Sequence, residues 1–256
     1  MIKTYLEAGI NHFGKVTEAN KILNFFLNSK IKNLTFMLQT SEFYKKQKSL
    51  GLDFKLSTKF YETAIKKVHK KKKKVGLAIC RLDTFKELSH LNFDFYKLLS
   101  AGIDQKDLIN NLKKKNKPIF ISTGFRTNDN QIKKCIKAIG SKKKLTLLHA
   151  PMTYDIKKLN FRRIIDFKKK FYLPVGYSNH NNNKQTLNLL TLFKPSVLFI
   201  YCKPTKKKGR VYPDNDHAFY LDEINDIIKE INLYSSSIYK SEKISKVNIF
   251  ANEFKF

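Results

Sequence analysis

The sequence has 256 residues, with no tryptophan, only three cysteines and little arginine. Cys80, Cys135 and Cys202 form no close-spaced pair and leave one over, which argues against a disulfide framework and for a reducing compartment, taken as the cytoplasm. No apolar run is long enough to cross a bilayer, and Met1-Ile2-Lys3-Thr4 leads into a strand without a signal-peptide pattern, so no membrane partner is expected. Acidic residues are few, 21 against 51 lysines and arginines, and the formal charge is +30. Such a balance invites a nucleic-acid reading. Against it, the lysines run along the whole chain among plentiful Asn and Ile, as in a proteome with AT-rich codons. Lys70 to Lys74 and Lys206 to Lys208 read most simply as solvated loop or helix ends. No dedicated nucleic-acid site is expected, although the basic surface would draw anionic substrates.

What is present is a core. With 42% hydrophobic residues and 21 Phe the chain is globular. Continuous apolar runs predict strands at 4–10, 33–38, 75–80, 93–98, 117–122, 144–149, 173–177 and 196–202. Helical spacing predicts helices at 16–29, 41–70, 83–91, 104–114, 127–139, 158–170, 183–193 and 221–233. Eight strands, each followed by a helix and apolar on both faces, predict an α/β (β/α)8 TIM barrel over 1–234, with a doubly wound open sheet as the rival. Residues 235–256 lack a period and read as a polar C-terminal tail.

Polar clusters close the strands where a barrel places its chemistry: Glu7 to His12, Met37 to Thr40, Lys97 to Ser100, Ser122 to Gly124, His149 to Tyr154, and Gly176-Tyr177-Ser178-Asn179-His180. Glu7-Ala8-Gly9-Ile10-Asn11-His12, Tyr96-Lys97 with Ser100, Ser122-Thr123-Gly124, Leu147-Leu148-His149, the Gly176–His180 stretch and Asp216-His217-Ala218-Phe219 together resemble the sialic acid synthase family, which includes the legionaminate and pseudaminate synthases. The resemblance runs from about residue 5 to 233.

It implies an enzyme that condenses phosphoenolpyruvate with an N-acetylated aminosugar aldehyde in surface polysaccharide biosynthesis. It implies Lys97 as an anion clamp, Ser100, Ser122 and Ser178 as hydrogen-bond donors to the same anion, and Gln39 as a further substrate contact. Glu7 would face the sugar, with Asp216 near the same pocket, and His180 would bind a divalent metal, Mn or a softer ion such as Zn or Co. A homodimer is a further implication. His149 stands equally as a ligand or a structural histidine.

The pattern departs from the family within the site. The strand-two lysine is Met37, and the aspartate before the ligand histidine is Asn179. The strand-eight glutamate and second metal histidine fall, by position, at Ile200 and Cys202. Cys202 could share the metal with His180 or be an inert core residue, and Arg81 could restore the charge lost at Met37. The family commonly continues into an antifreeze-like domain; the polar tail stands in its place here.

Overall fold

Apolar runs buried on both faces need helices on one side and a packed interior on the other. The computed structural model, which describes residues 2–124, 127–206 and 209–239, supplies both. Strands β1 (Lys3–Glu7), β2 (Asn33–Met37), β3 (Lys74–Ile79), β4 (Phe95–Leu98), β5 (Ile119–Thr123), β6 (Leu145–His149), β7 (Val175–Ser178) and β8 (Val197–Lys203) pair in chain order. All pairings are parallel, and β8 returns to β1, which closes the barrel. A short β9 (Phe219–Tyr220), absent from the sequence reading, extends alongside Cys202 and Lys203.

Helices α1 (Val16–Asn28), α2 (Ser41–Ser49), α3 (Thr58–Lys70), α4 (Leu82–Leu88), α5 (Lys106–Lys114), α6 (Asp129–Ile139), α7 (Arg162–Phe171), α8 (Lys184–Leu190) and α9 (Leu221–Tyr239) follow the strands. The stretch 41–70, expected as one helix, is two. Gly51, with φ 76°, lies just past α2, and the Ser57 hydroxyl then caps α3 by accepting from the Phe60 amide at 3.3 Å. Helix α9 also runs past residue 233 and takes in the first residues of the expected tail, with Ser235 fully buried. The rest of that tail, 240–256, lies outside the described residues, as do Lys207 and Lys208. Among the described residues no helix is long and apolar enough to cross a membrane.

Residues in register on neighbouring strands share a face, and β1 pairs Tyr5 with Phe199 and Glu7 with Tyr201. The lower interior is an aromatic plug of Tyr5, Phe95, Phe120 and Phe199 with Leu148 and Val197. Tyr5 stacks on Phe199 at 4.5 Å between ring centroids. Gly76 makes room for this plug, because a Cβ there would lie 2.2 Å from the Phe95 ring. With the lower interior filled, a ligand is left the carboxyl ends of the strands.

Candidate active site

One step above the plug the interior turns polar. The Lys97 ammonium donates to both Glu7 oxygens, at 2.6 and 2.7 Å, and to the Ser178 hydroxyl at 3.0 Å. All three side chains are fully buried, and the ammonium also lies 4.8 Å from the centre of the Phe199 ring. Burial pulls Lys97 below the usual lysine range and pushes Glu7 up, each opposed by the charge of the other. The bidentate contact with a third donor-acceptor partner is the geometry in which a buried ion pair survives desolvation. Sequence reasoning placed Glu7, Lys97 and Ser178 in the site separately; the fold joins them across β1, β4 and β7.

Ser122 lies buried on β5, two residues beyond the inward-facing Phe120, so it faces the same space. Ser100 opens the turn after β4 near the end of β5, where a Cβ on Gly124 would come within 3.1 Å of its hydroxyl oxygen. Gln39 stays at the β2 end, its amide 4.0 Å from the Met37 sulfur. Met37 itself faces inward, but into an apolar cluster with Ile10, Phe54 and Ala78. The half-buried Arg81 precedes α4, and its charge acts on Asp83 and Glu42. No hydrogen bond or ion pair joins it to the Lys97 group, so the exchange of Met37 for Arg81 gains no support.

Asp216 is exposed, accepting from the Asn215 side chain at 3.2 Å. The carboxylate that enters the pocket is Asp214, which the sequence reading missed. Its Oδ2 accepts from the Ile10 amide at 3.3 Å, and its own amide donates to Asn11 Oδ1 at 2.9 Å. Burial, with a smaller push from Glu7, raises the Asp214 carboxyl from 3.8 to about 6. This accounts for the opening motif. Gly9 adopts φ +54°, and a Cβ there would sit 2.2 Å from Asp214 Oδ2. Asn11 also donates to the Cys202 carbonyl at 2.8 Å, pinning the β1 turn to β8.

The expected metal pair is not assembled. His180 is buried beyond β7, its Nδ1 without a partner, and its ring lies 5.3 Å from that of His217 and 5.5 Å from Tyr201. Cys202 points the other way. It joins Leu198 and Ile200 in the outer core against the helices, because alternation along β8 sends Phe199 and Tyr201 inward. The sequence reading of strand eight was one residue out of phase, and the position level with Glu7 is Tyr201. The next inward position is Lys203, whose ammonium holds the Asn215 carbonyl oxygen at 2.9 Å and side-chain oxygen at 3.0 Å. Among the described residues no group of three His, Cys, Asp or Glu side chains is placed to hold a metal ion. The donor set therefore does not fit the metal that the resemblance implied. His149 is structural, its Nε2 2.8 Å from the Leu159 carbonyl oxygen and its ring against Phe167 and Tyr177.

Burial holds the Cys202 thiol well above its ordinary value. Cys202→Ala is expected to lose about 1–2 kcal/mol of stability as a small core truncation and to leave ligand affinity unchanged. Denaturant melts beside a binding titration check this; a selective loss of binding would return the thiol to the site.

A parallel eight-stranded barrel with a buried lysine, carboxylates and hydroxyls at the carboxyl ends of its strands gathers its polar groups where enzymes of this fold carry their chemistry. The chain belongs to the NeuB family, whose profile matches residues 14–241. It is 26% identical over 200 residues to the N,N'-diacetyllegionaminic acid synthase of Campylobacter jejuni, a match covering 68% of this chain and 59% of that one. A shorter match, 30% over 89 residues, covers 34% of this chain and 26% of the pseudaminic acid synthase of the same organism. The chain thus spans about three fifths of the length of the first of these relatives. In fold it is similar to an N-acetylneuraminic acid synthetase from Leptospira borgpetersenii, with a TM-score of 0.83 at 17% identity over 96% of this chain and 88% of that one. A truncated 3-deoxy-D-arabino-heptulosonate 7-phosphate synthase from Thermotoga maritima shares the fold at a TM-score of 0.72 and 12% identity, covering 92% and 88% of the two chains.

Proposed function

We propose that the chain condenses phosphoenolpyruvate with an N-acetylated aminosugar aldehyde, forming a 2-keto sugar acid and releasing phosphate. The observation that carries this reading is the Lys97 ammonium held between Glu7 and Ser178 at the base of the pocket. When an anionic substrate enters, Lys97 turns its charge to it, and Ser178 and Ser122 add hydrogen bonds. Glu7, released from the lysine, faces the aldehyde. C3 of phosphoenolpyruvate bonds to the aldehyde carbon, water adds at C2, and phosphate leaves with the C2–O electron pair. Asp214, half-protonated near pH 6, is placed to give a proton to the aldehyde oxygen as it becomes an alkoxide.

Phosphate release from phosphoenolpyruvate tests this, with N-acetylmannosamine and related aldoses, with and without Mn, Zn, Co or Mg ions. Release that requires a sugar supports the reading, and no release with any combination removes it. Met37 in its apolar cluster and Tyr201 level with Glu7 favour a second reading, a barrel that binds a sugar acid without turning it over. Binding of a 2-keto sugar acid with no phosphate release would select that one.

A further inference from the structure

Five runs of three or more consecutive lysines occur in the sequence: Lys70–Lys74, Lys113–Lys115, Lys142–Lys144, Lys168–Lys170 and Lys206–Lys208. The fold sorts them. The first four fall at the ends of α3, α5 and α7 or just after α6, where each helix hands the chain to the next strand. All four therefore lie at the amino-terminal end of the barrel, opposite the pocket. Carboxylates sort the other way, occupying the first turns of α1, α2, α4, α5, α6 and α9 at the pocket end. The segments joining each helix to its next strand hold one carboxylate, Asp94, and it is already engaged by His69 at 2.9 Å and the Val75 amide at 2.8 Å. Lysine runs that lie far apart in the linear sequence are gathered by the fold onto one face.

Helix dipoles favour such sorting, but capping explains only part of it. Each of these four runs gives one lysine to main-chain carbonyls at a helix end: Lys73 to Phe26 and Ser29, Lys115 to Ser89, Lys144 to Asn116, and Lys168 to Lys194. Lys170 is drawn back along α7 to Asp129 in the first turn of α6 and does not add to this face. The other members of these four runs are exposed. Between the ends of α6 and α7 lies a cavity of about 430 Å³, lined by Lys133, Lys137, Lys142 and Tyr172 among others. Tyr172 is 82% exposed at its rim. The four described arginines lie elsewhere: Arg81 just before α4, Arg162 and Arg163 in the first turn of α7, and Arg210 in the loop after β8.

We propose that this amino-terminal face docks on an anionic lipid bilayer, with the lysine runs against headgroup phosphates, Tyr172 in the interface and the pocket facing away. A field of lysine point charges without arginine forks suits a diffuse anionic sheet better than base or phosphate readout in a nucleic acid. A protruding tyrosine suits the water–lipid boundary. This docking is independent of the reaction in the pocket.

Vesicle co-sedimentation of the full chain tests it, comparing phosphatidylcholine alone with phosphatidylcholine containing 30% phosphatidylglycerol. The expected result is binding to the anionic vesicles only, reversed by 0.5 M NaCl. Reversing Lys71, Lys72, Lys114 and Lys143 to Glu together is expected to weaken it by about a hundredfold or more. Reversing Lys45, Lys46 and Lys48, which lie on α2 outside these runs, is expected to weaken it far less. Unchanged thermal melts for both variants make the comparison valid, and single reversals replace the quadruple one if it fails to fold. Equal binding to both vesicle types, equal losses in the two variants, or tight capture of a 30-mer oligonucleotide with no vesicle binding would each overturn the proposal.

Discussion

Lys97→Met is expected to abolish anion binding and to lower stability by about 3–5 kcal/mol, because it strands Glu7 as a buried charge without its partner. The effect is large because nothing else in the contact can replace the ammonium: Glu7 takes both of its hydrogen bonds from Lys97 Nζ, and Ser178 supplies only a neutral hydroxyl. Pairing the change with Glu7→Gln separates the two consequences. The double variant removes both charges at once and is expected to regain most of the stability while binding stays lost. Denaturant melts of the single and double variants, read beside a binding titration, check both halves. A double variant as unstable as the single one would mean that the ion pair does not set the local energetics.

Asp214→Asn is expected to lower kcat by about 10²–10⁴-fold and to remove any limb near pH 6 from the rate profile. The carboxyl is held above its ordinary value by burial, so the folded chain keeps this proton up to about pH 6, whereas the unfolded chain releases it near 3.8. Its contribution therefore favours folding at acid pH and is lost as pH rises through about 4 to 6. The asparagine variant escapes that loss, and its stability relative to the wild type is expected to rise across the same window. A rate profile and pH-dependent melts measure the two effects; an unchanged rate would take Asp214 out of the chemistry. Gly9→Ala, which drives a Cβ into Asp214 Oδ2, is expected to depress the rate through the same group.

The barrel was legible because parallel strands covered on both faces must be apolar throughout, and eight such runs alternate with helical ones. The same uniformity hid the phase of each strand. In Val197–Lys203 nothing in the sequence distinguishes inward Phe199 and Tyr201 from outward Ile200 and Cys202, and only pairing with β1 settles it. Glu7, Lys97 and Ser178 could be picked out because the strand-end motifs that hold them resemble those of the synthase family; polar residues at strand ends alone would not have separated them from helix caps. Asp214 could not, since it sits in a loop beside the equally acidic Asp216 and is drawn inward by Asn11 and Ile10, about two hundred residues away. The Pro213-Asp214-Asn215-Asp216 stretch signals a turn there but not which of its carboxylates turns inward. The gathering of the lysine runs was invisible for a similar reason, because runs far apart in the chain become neighbours only when the helices end on a common face.

Calorimetric titration of the full chain with phosphoenolpyruvate, in the absence of sugar and metal, tests the central claim most directly. The account predicts saturable binding that Lys97→Met abolishes and Cys202→Ala leaves intact. Absence of binding in the wild type, or equal affinity in the Lys97 variant, would contradict it.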